Sequence, residues 1–178
     1  MKYFTSDTHF NHENIIKLCN RPFLNADEMN NVIIHNWNSC VQEHDEIYFL
    51  GDFMFKGGGE SANELLQALN GKKYLIKGNH DHFVNDKSFH KNNFVWIKDY
   101  YVLQYEKQNI VLFHYPIFEW DGYFKGAIHL YGHVHNTGND SELKARAHQD
   151  GKIAFNVCSD VNDFFPVSIE DIMNKTRS

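Results

Sequence analysis

A chain of 178 residues is long enough to bury a substantial core as one domain, 1–178, without disulfides or a partner. With 42% hydrophobic, 15% aromatic and 22% charged residues and only three prolines, it lacks the low-hydropathy, high-charge signature of disorder. The formal charge of −6, with no run of Lys and Arg, argues against a protein that grips extended nucleic acid mainly by neutralising phosphates.

The elements follow in chain order. Lys2–Ser6 reads as a buried strand that breaks at Asp7, and His12–Cys19 as a short helix stopped before Arg21-Pro22. Asp27–Val41 carries a broken 3.6-residue apolar period, with Asp27 placed to cap it. Glu46–Leu50 is a second strand ending at Gly51-Asp52; Gly57–Gly59 is a turn and Glu60–Leu69 a helix with a leucine stripe. Lys72–Lys77 is a strand broken by Gly78-Asn79-His80, and Phe94–Ile97, Tyr100–Tyr105 and Asn109–Phe113 read as strands, the last two joined as a hairpin. Ala127–Tyr131 runs into Gly132-His133-Val134-His135, Leu143–Ala147 and Lys152–Val157 read as a hairpin turning at Asp150-Gly151, and Ser168–Asn174 as a final helix. This order favours an α/β fold in which helices cover two packed sheets.

Three widely separated cysteines form no C-x-x-C pair, so the reading is reduced thiols rather than a disulfide framework or zinc ribbon. No long apolar stretch suggests a membrane segment, and a cytoplasmic protein without membrane contact is expected. Oligomeric state is left open. Twelve histidines are the compositional oddity. The expected strand ends carry Asp7/His9, Asp52, Asn79/His80, His114 and His133/His135, and in open α/β sheets ligands gather outside the carboxyl ends of strands. In extended backbone Asp7 and His9, like His133 and His135, would point to one side. Gly51, Gly78 and Gly132 each precede a cluster, where close backbone approach leaves no room for a Cβ.

Carboxylate, amide and imidazole donors without a thiolate favour Mn, Fe, Ni or Zn over Ca or Mg. The set exceeds what one tetrahedral ion uses. Two divalent ions sharing Asp52, which stands alone at its strand end, would fit.

Asp7-Thr8-His9, Gly51-Asp52, Gly78-Asn79-His80-Asp81, His114 and Gly132-His133-Val134-His135, in that order, resemble the motifs of the calcineurin-like metallophosphoesterase superfamily. The resemblance implies a four-layer α/β/β/α sandwich of two mixed sheets flanked by helices, and a dinuclear centre with manganese as the first expectation. It implies that Asp7, His9 and His135 hold one ion, that Asn79, His114 and His133 hold the other, and that Asp52 bridges them. It further implies that His80 is the general acid, with Asp81 orienting its ring. An imidazole titrates close enough to neutral pH to protonate a departing alkoxide. Many relatives carry an acid and an arginine after the G-D motif; here Phe55 and Lys56 stand there. Lysine lacks the guanidinium fork that grips a phosphate. The departure favours small, nucleotide-like or cyclic phosphodiesters as substrate, although the motifs serve phosphomonoesters equally, and a non-catalytic scaffold is the competing class.

Asn11, His12 and Arg21 are candidate substrate contacts, though Asn11 equally suits a helix cap and Arg21 a helix end. His35, His44, His82, His90 and His129 read as surface or core histidines. Trp37, Phe53, Phe55 and Trp120 read as core, and Phe118, Trp120 and Tyr123 as core or as a wall for a nucleobase.

Overall fold

The structure is a computed structural model that describes residues 1–175. Alternation along the strands builds its layers. In β1 (Lys2–Thr5) and β2 (Glu46–Phe49), Phe4 and Tyr48 face one way and Ile47 and Phe49 the other. β3 (Lys72–Ile76) follows the same rule with Ile76 against Leu75. With β4 (Ile97–Lys98) and β9 (Val167–Ser168) these form a sheet of order β4-β3-β2-β1-β9, parallel except for β9. A second sheet, order β5-β6-β7-β8, comprises Tyr100–Tyr105, Gln108–Phe113, Ile128–Tyr131 and Ala154–Asn156; β5 is antiparallel and the rest parallel.

The sheets share one core. Phe4, Leu50 and Ile76 of the first meet Leu103, Ile110, Leu112, Ile128 and Leu130 of the second. The outer face of the first sheet is covered by α2 (Ala26–Cys40), which buries Met29, Ile33 and Trp37 at helical spacing, and by α3 (Gly58–Ala68) through Ala62 and Leu66. Short α1 (Glu13–Leu18) adds Ile15 and Ile16. On the second sheet's outer face, α4 (Gly138–Gln149) sets Leu143 against Tyr131 and Ala147 against Val111 and Trp120. α5 (Ile169–Lys175) is no outer layer: Ile169 and Ile172 plug the core between the sheets.

Three expectations change. The N-cap of α2 is Asn25, whose side chain accepts from the Glu28 N–H at 2.9 Å, so Asp27 lies inside the first turn. Of Phe94–Ile97 only Ile97 is strand, because the sheet edge pairs just two residues there. The hairpin expected over residues 143–157 is instead α4 followed by β8, which pairs parallel with β7 and so needs a crossover helix rather than a tight turn. Among the described residues no helix is long and apolar enough to cross a membrane.

Candidate metal centre

The loops after β1, β2, β3, β6, β7 and β8 meet at one rim. The Asp7 N–H donates to Gly51 O at 2.9 Å, the His9 N–H to Asp52 O at 3.1 Å, and the Gly132 N–H to His114 O at 2.9 Å. A parallel bridge between Ser6 and Cys158 joins the two sheets at this end. Asp7, His9, Asp52, His133 and His135 all hold positive φ, between 48° and 69°. Side chains rarely adopt this left-handed backbone, and it persists only where the surroundings over-determine it. Each i, i+2 pair therefore reaches inward from left-handed turns, not from the extended backbone that the spacing suggested.

Their donor atoms converge. His9 Nε2 lies 3.9 Å from Asp7 Oδ1 and 3.7 Å from Asp52 Oδ2. His114 Nε2 lies 3.5 Å from Asp52 Oδ2, and His135 Nε2 lies 3.7 Å from Asp7 Oδ1. Asn79 Oδ1 is 3.2 Å from His114 Nε2. Two compact groups, Asp7-His9-Asp52 and Asp52-His114-His133, share Asp52. Donors about 2.1 Å from one ion stand about 3 to 3.5 Å apart, so these gaps need close by only a few tenths of an ångström. Asp7 Oδ1 and His9 Nε2 are fully buried with no hydrogen-bond partner among the described residues, which native interiors rarely tolerate. The residues present thus fit divalent ions.

Burial and neighbouring charges act in opposite directions on the histidines of the site. Burial keeps His9 neutral, its pKa pushed down to about 2. Burial also opposes charge on Asp52, but its contact with His114 and the His80 N–H outweigh it and hold the carboxyl down to about 2. On Asp7, burial pushes the carboxyl up. His114 Nδ1 donates to Leu50 O at 2.7 Å, which turns Nε2 toward Asp52; burial opposes its charge, but Asp52 and Asp7 outweigh it and push its pKa up. His135 Nδ1 lies 2.7 Å from Asp160 Oδ2. Burial alone would lower His135, yet hydrogen bonds with Asp160 and Cys19 and the Asp7 charge raise it to about 10. Cys158 Sγ stands 3.7 Å from His135 Nδ1, but burial pushes its thiol well up, so it offers no thiolate.

Several expected contacts lie elsewhere. Arg21 is buried behind the site: Nε and Nη2 each meet the Asp160 carboxylate at 2.8 Å, and Nη1 and Nη2 donate to Thr8 O and Asp7 O. It holds the loop rather than facing a substrate. Asn11 is likewise engaged, donating to Lys56 O and Ser61 Oγ and pairing with Asn30. Asp81 does not orient His80: its buried carboxylate accepts from the N–H groups of Asp52, Phe53 and Gly78 at 2.7–2.9 Å, tying two loops. Burial pushes its pKa up to about 6 against those bonds.

His80 stands at the partly open rim, its N–H on Asp52 Oδ1 at 2.8 Å and its ring 5.5 Å from that of His9. His12 stacks flat on Phe55 at 3.8 Å, and Phe55 is an exposed wall rather than core. Trp120 and Tyr123 are buried.

The sequence reading missed Asp160, although it follows β8 in the same strand-end position as the other polar clusters. His82, read as a surface or core histidine, is exposed. That histidine lines both a cavity of about 330 Å³, with Phe55, Lys56 and His80, and one of about 260 Å³, with Asn79 and Tyr115.

No protein-family model matches the chain. Over 172 residues, 96% of this chain and 88% of the relative, it is 38% identical to the uncharacterized protein MJ1445 of Methanocaldococcus jannaschii. It is also similar to the crystal structure of AQ665, a protein of unknown function from Aquifex aeolicus, at 31% identity and a TM-score of 0.77, over 98% of each chain.

Proposed function

The chain belongs to the same family as MJ1445, and we propose that it is a dinuclear-metal phosphoester hydrolase of the calcineurin-like metallophosphoesterase type, acting on small phosphodiesters. The observation that carries this reading is the convergence of Asp7, His9, His114 and His135 on Asp52 and on one another at 3.5–3.9 Å, with buried donor atoms left unpaired. The α/β class, with two mixed sheets and helices, supports this reading.

Asp7, His9 and His135 would hold one ion and Asn79, His114 and His133 the other, with Asp52 shared; manganese is the first expectation, and Fe, Ni and Zn suit the same donors. When bound, such a pair lowers the pKa of a water and neutralises phosphoryl charge. The remaining chemistry belongs to the side chains. His80 stands at the rim and protonates the departing alkoxide. Its main chain is fixed by Asp52 and its ring is flanked by His9 and Phe55, and among the described residues no carboxylate bonds the ring.

A diester needs room for two ester arms. The cavities of about 330 and 260 Å³ supply it on the His80 and Asn79 sides, meeting at His82 and Asn85. Phe55 gives the first an aromatic wall where a phosphate-gripping pair would serve a monoester.

The test is hydrolysis of bis-p-nitrophenyl phosphate and of p-nitrophenyl phosphate with Mn²⁺, beside Asp52→Asn. Faster diester hydrolysis, lost in the variant, supports the reading. A monoester preference overturns the substrate class, and no turnover with two ions bound overturns the activity.

A further inference from the structure

We propose that the buried Arg21–Asp160 pair is a positioning device that sets the affinity of one metal ion, the one held by Asp7, His9 and His135, by locking the His135 ring; this rests on the metal-centre reading above. An imidazole that binds a metal through Nε2 gives up the proton there and keeps one N–H, at Nδ1. Asp160 Oδ2 accepts from Nδ1 at 2.7 Å, which turns Nε2 toward Asp7 Oδ1, 3.7 Å away. A carboxylate in this position orients a metal-binding histidine and raises its basicity.

Asp160 is itself immobilised. Arg21 grips it with two parallel bonds of 2.8 Å, and the Cys158 thiol donates to Oδ2 at 3.2 Å. The same guanidinium donates to Asp7 O at 2.7 Å and Thr8 O at 2.8 Å, the carbonyls of the left-handed loop that carries Asp7 and His9. One planar group thus fixes two segments, one 14 and the other 139 residues away from it in sequence, both serving the same ion. Among the described residues neither Arg21 nor Asp160 hydrogen-bonds Asn79, His114 or His133. The pair therefore serves half of the centre, and its loss acts on half.

The experiment is calorimetric titration of chelator-stripped protein with Mn²⁺, for the parent, Asp160→Asn, Asp160→Ala and Arg21→Lys, with circular dichroism to verify folding. The parent takes up two ions. Asp160→Asn weakens one binding event by about 10- to 100-fold and leaves the other in place. Arg21→Lys, which keeps the charge but loses the fork, weakens the same event. Should Asp160→Ala fail to fold, the near-isosteric Asp160→Asn decides. Equal weakening of both events, or of neither, overturns the positioning role. A parent that binds no Mn²⁺ overturns it together with the proposed function, whereas a parent that binds two ions but hydrolyses no phosphoester sinks the function alone.

Discussion

At Gly78 one methyl group decides whether the centre assembles. A Cβ there would stand 2.2 Å from Asp52 Oδ1 and 2.6 Å from the Asp52 nitrogen, and one at Gly132 would meet Asp7 Oδ2 at 2.2 Å. Neither contact can be relieved without moving a carboxylate that the site needs. Gly78→Ala is expected to destabilise the fold by about 1–3 kcal/mol through overpacking. It should also weaken Mn²⁺ uptake at both ions, since Asp52 is shared; a calorimetric titration indistinguishable from the parent's would refute this. His80→Ala separates binding from chemistry. The ring donates to no proposed ligand, so the variant should retain two ions while kcat falls by about 10²- to 10⁴-fold, the usual share of a general acid. Unchanged turnover by a metal-loaded variant would remove His80 from the mechanism.

At the scale of elements, the α/β units are held by side chains whose state changes with pH. His129 on β7 is fully buried, stacked against Trp120 and Tyr131. Its Nε2 accepts from the Ile117 N–H and its Nδ1 donates to Val111 O, a pattern that neutral imidazole satisfies completely. Burial pushes its pKa down to about 4. The unfolded chain, titrating near about 6.5, binds this proton at a pH where the folded chain does not. The stability in question is therefore complete above about pH 6.5 and falls away towards pH 4, by up to about 3 kcal/mol. Denaturant unfolding across that window should show a steeper loss for the parent than for His129→Phe; parallel curves would contradict the assignment. The neighbouring α4 illustrates what periodicity misses. Leu143 and Ala147 are its buried apolar anchors in twelve residues, too few to mark a helix, and the parallel pairing of β8 with β7 requires a crossover there.

For the whole molecule, the proposed metal centre would also act as a clasp between the sheets, because the first sheet's loops supply Asp7, His9, Asp52 and Asn79 and the second's supply His114, His133 and His135. Stripping the ions should lower the melting temperature. At a free Mn²⁺ concentration 100 times Kd, one site adds about 2.7 kcal/mol, equivalent to about 5–10 °C for a chain of this size. Differential scanning calorimetry with and without chelator reads it directly, and identical melting curves would argue against ions bound between the sheets. The convergence of these groups at one rim was largely legible in the sequence, because each sits directly after an apolar strand and strand ends are strong local signals. The roles of Arg21, Asn11 and Asp81 were not, since a guanidinium, amide or carboxylate looks the same in sequence whether it meets a ligand or the backbone of a segment 14, 45 or 29 residues away. Asp160 escaped because its importance lies in a contact with Arg21 across the chain. The order of residues thus determined by itself the two-sheet α/β class and the polar groups that end the strands, for both follow from periodicity and local chemistry. Tertiary structure alone decided which polar groups face the rim and which brace it, because that depends on left-handed turns and long-range hydrogen bonds that no local pattern encodes.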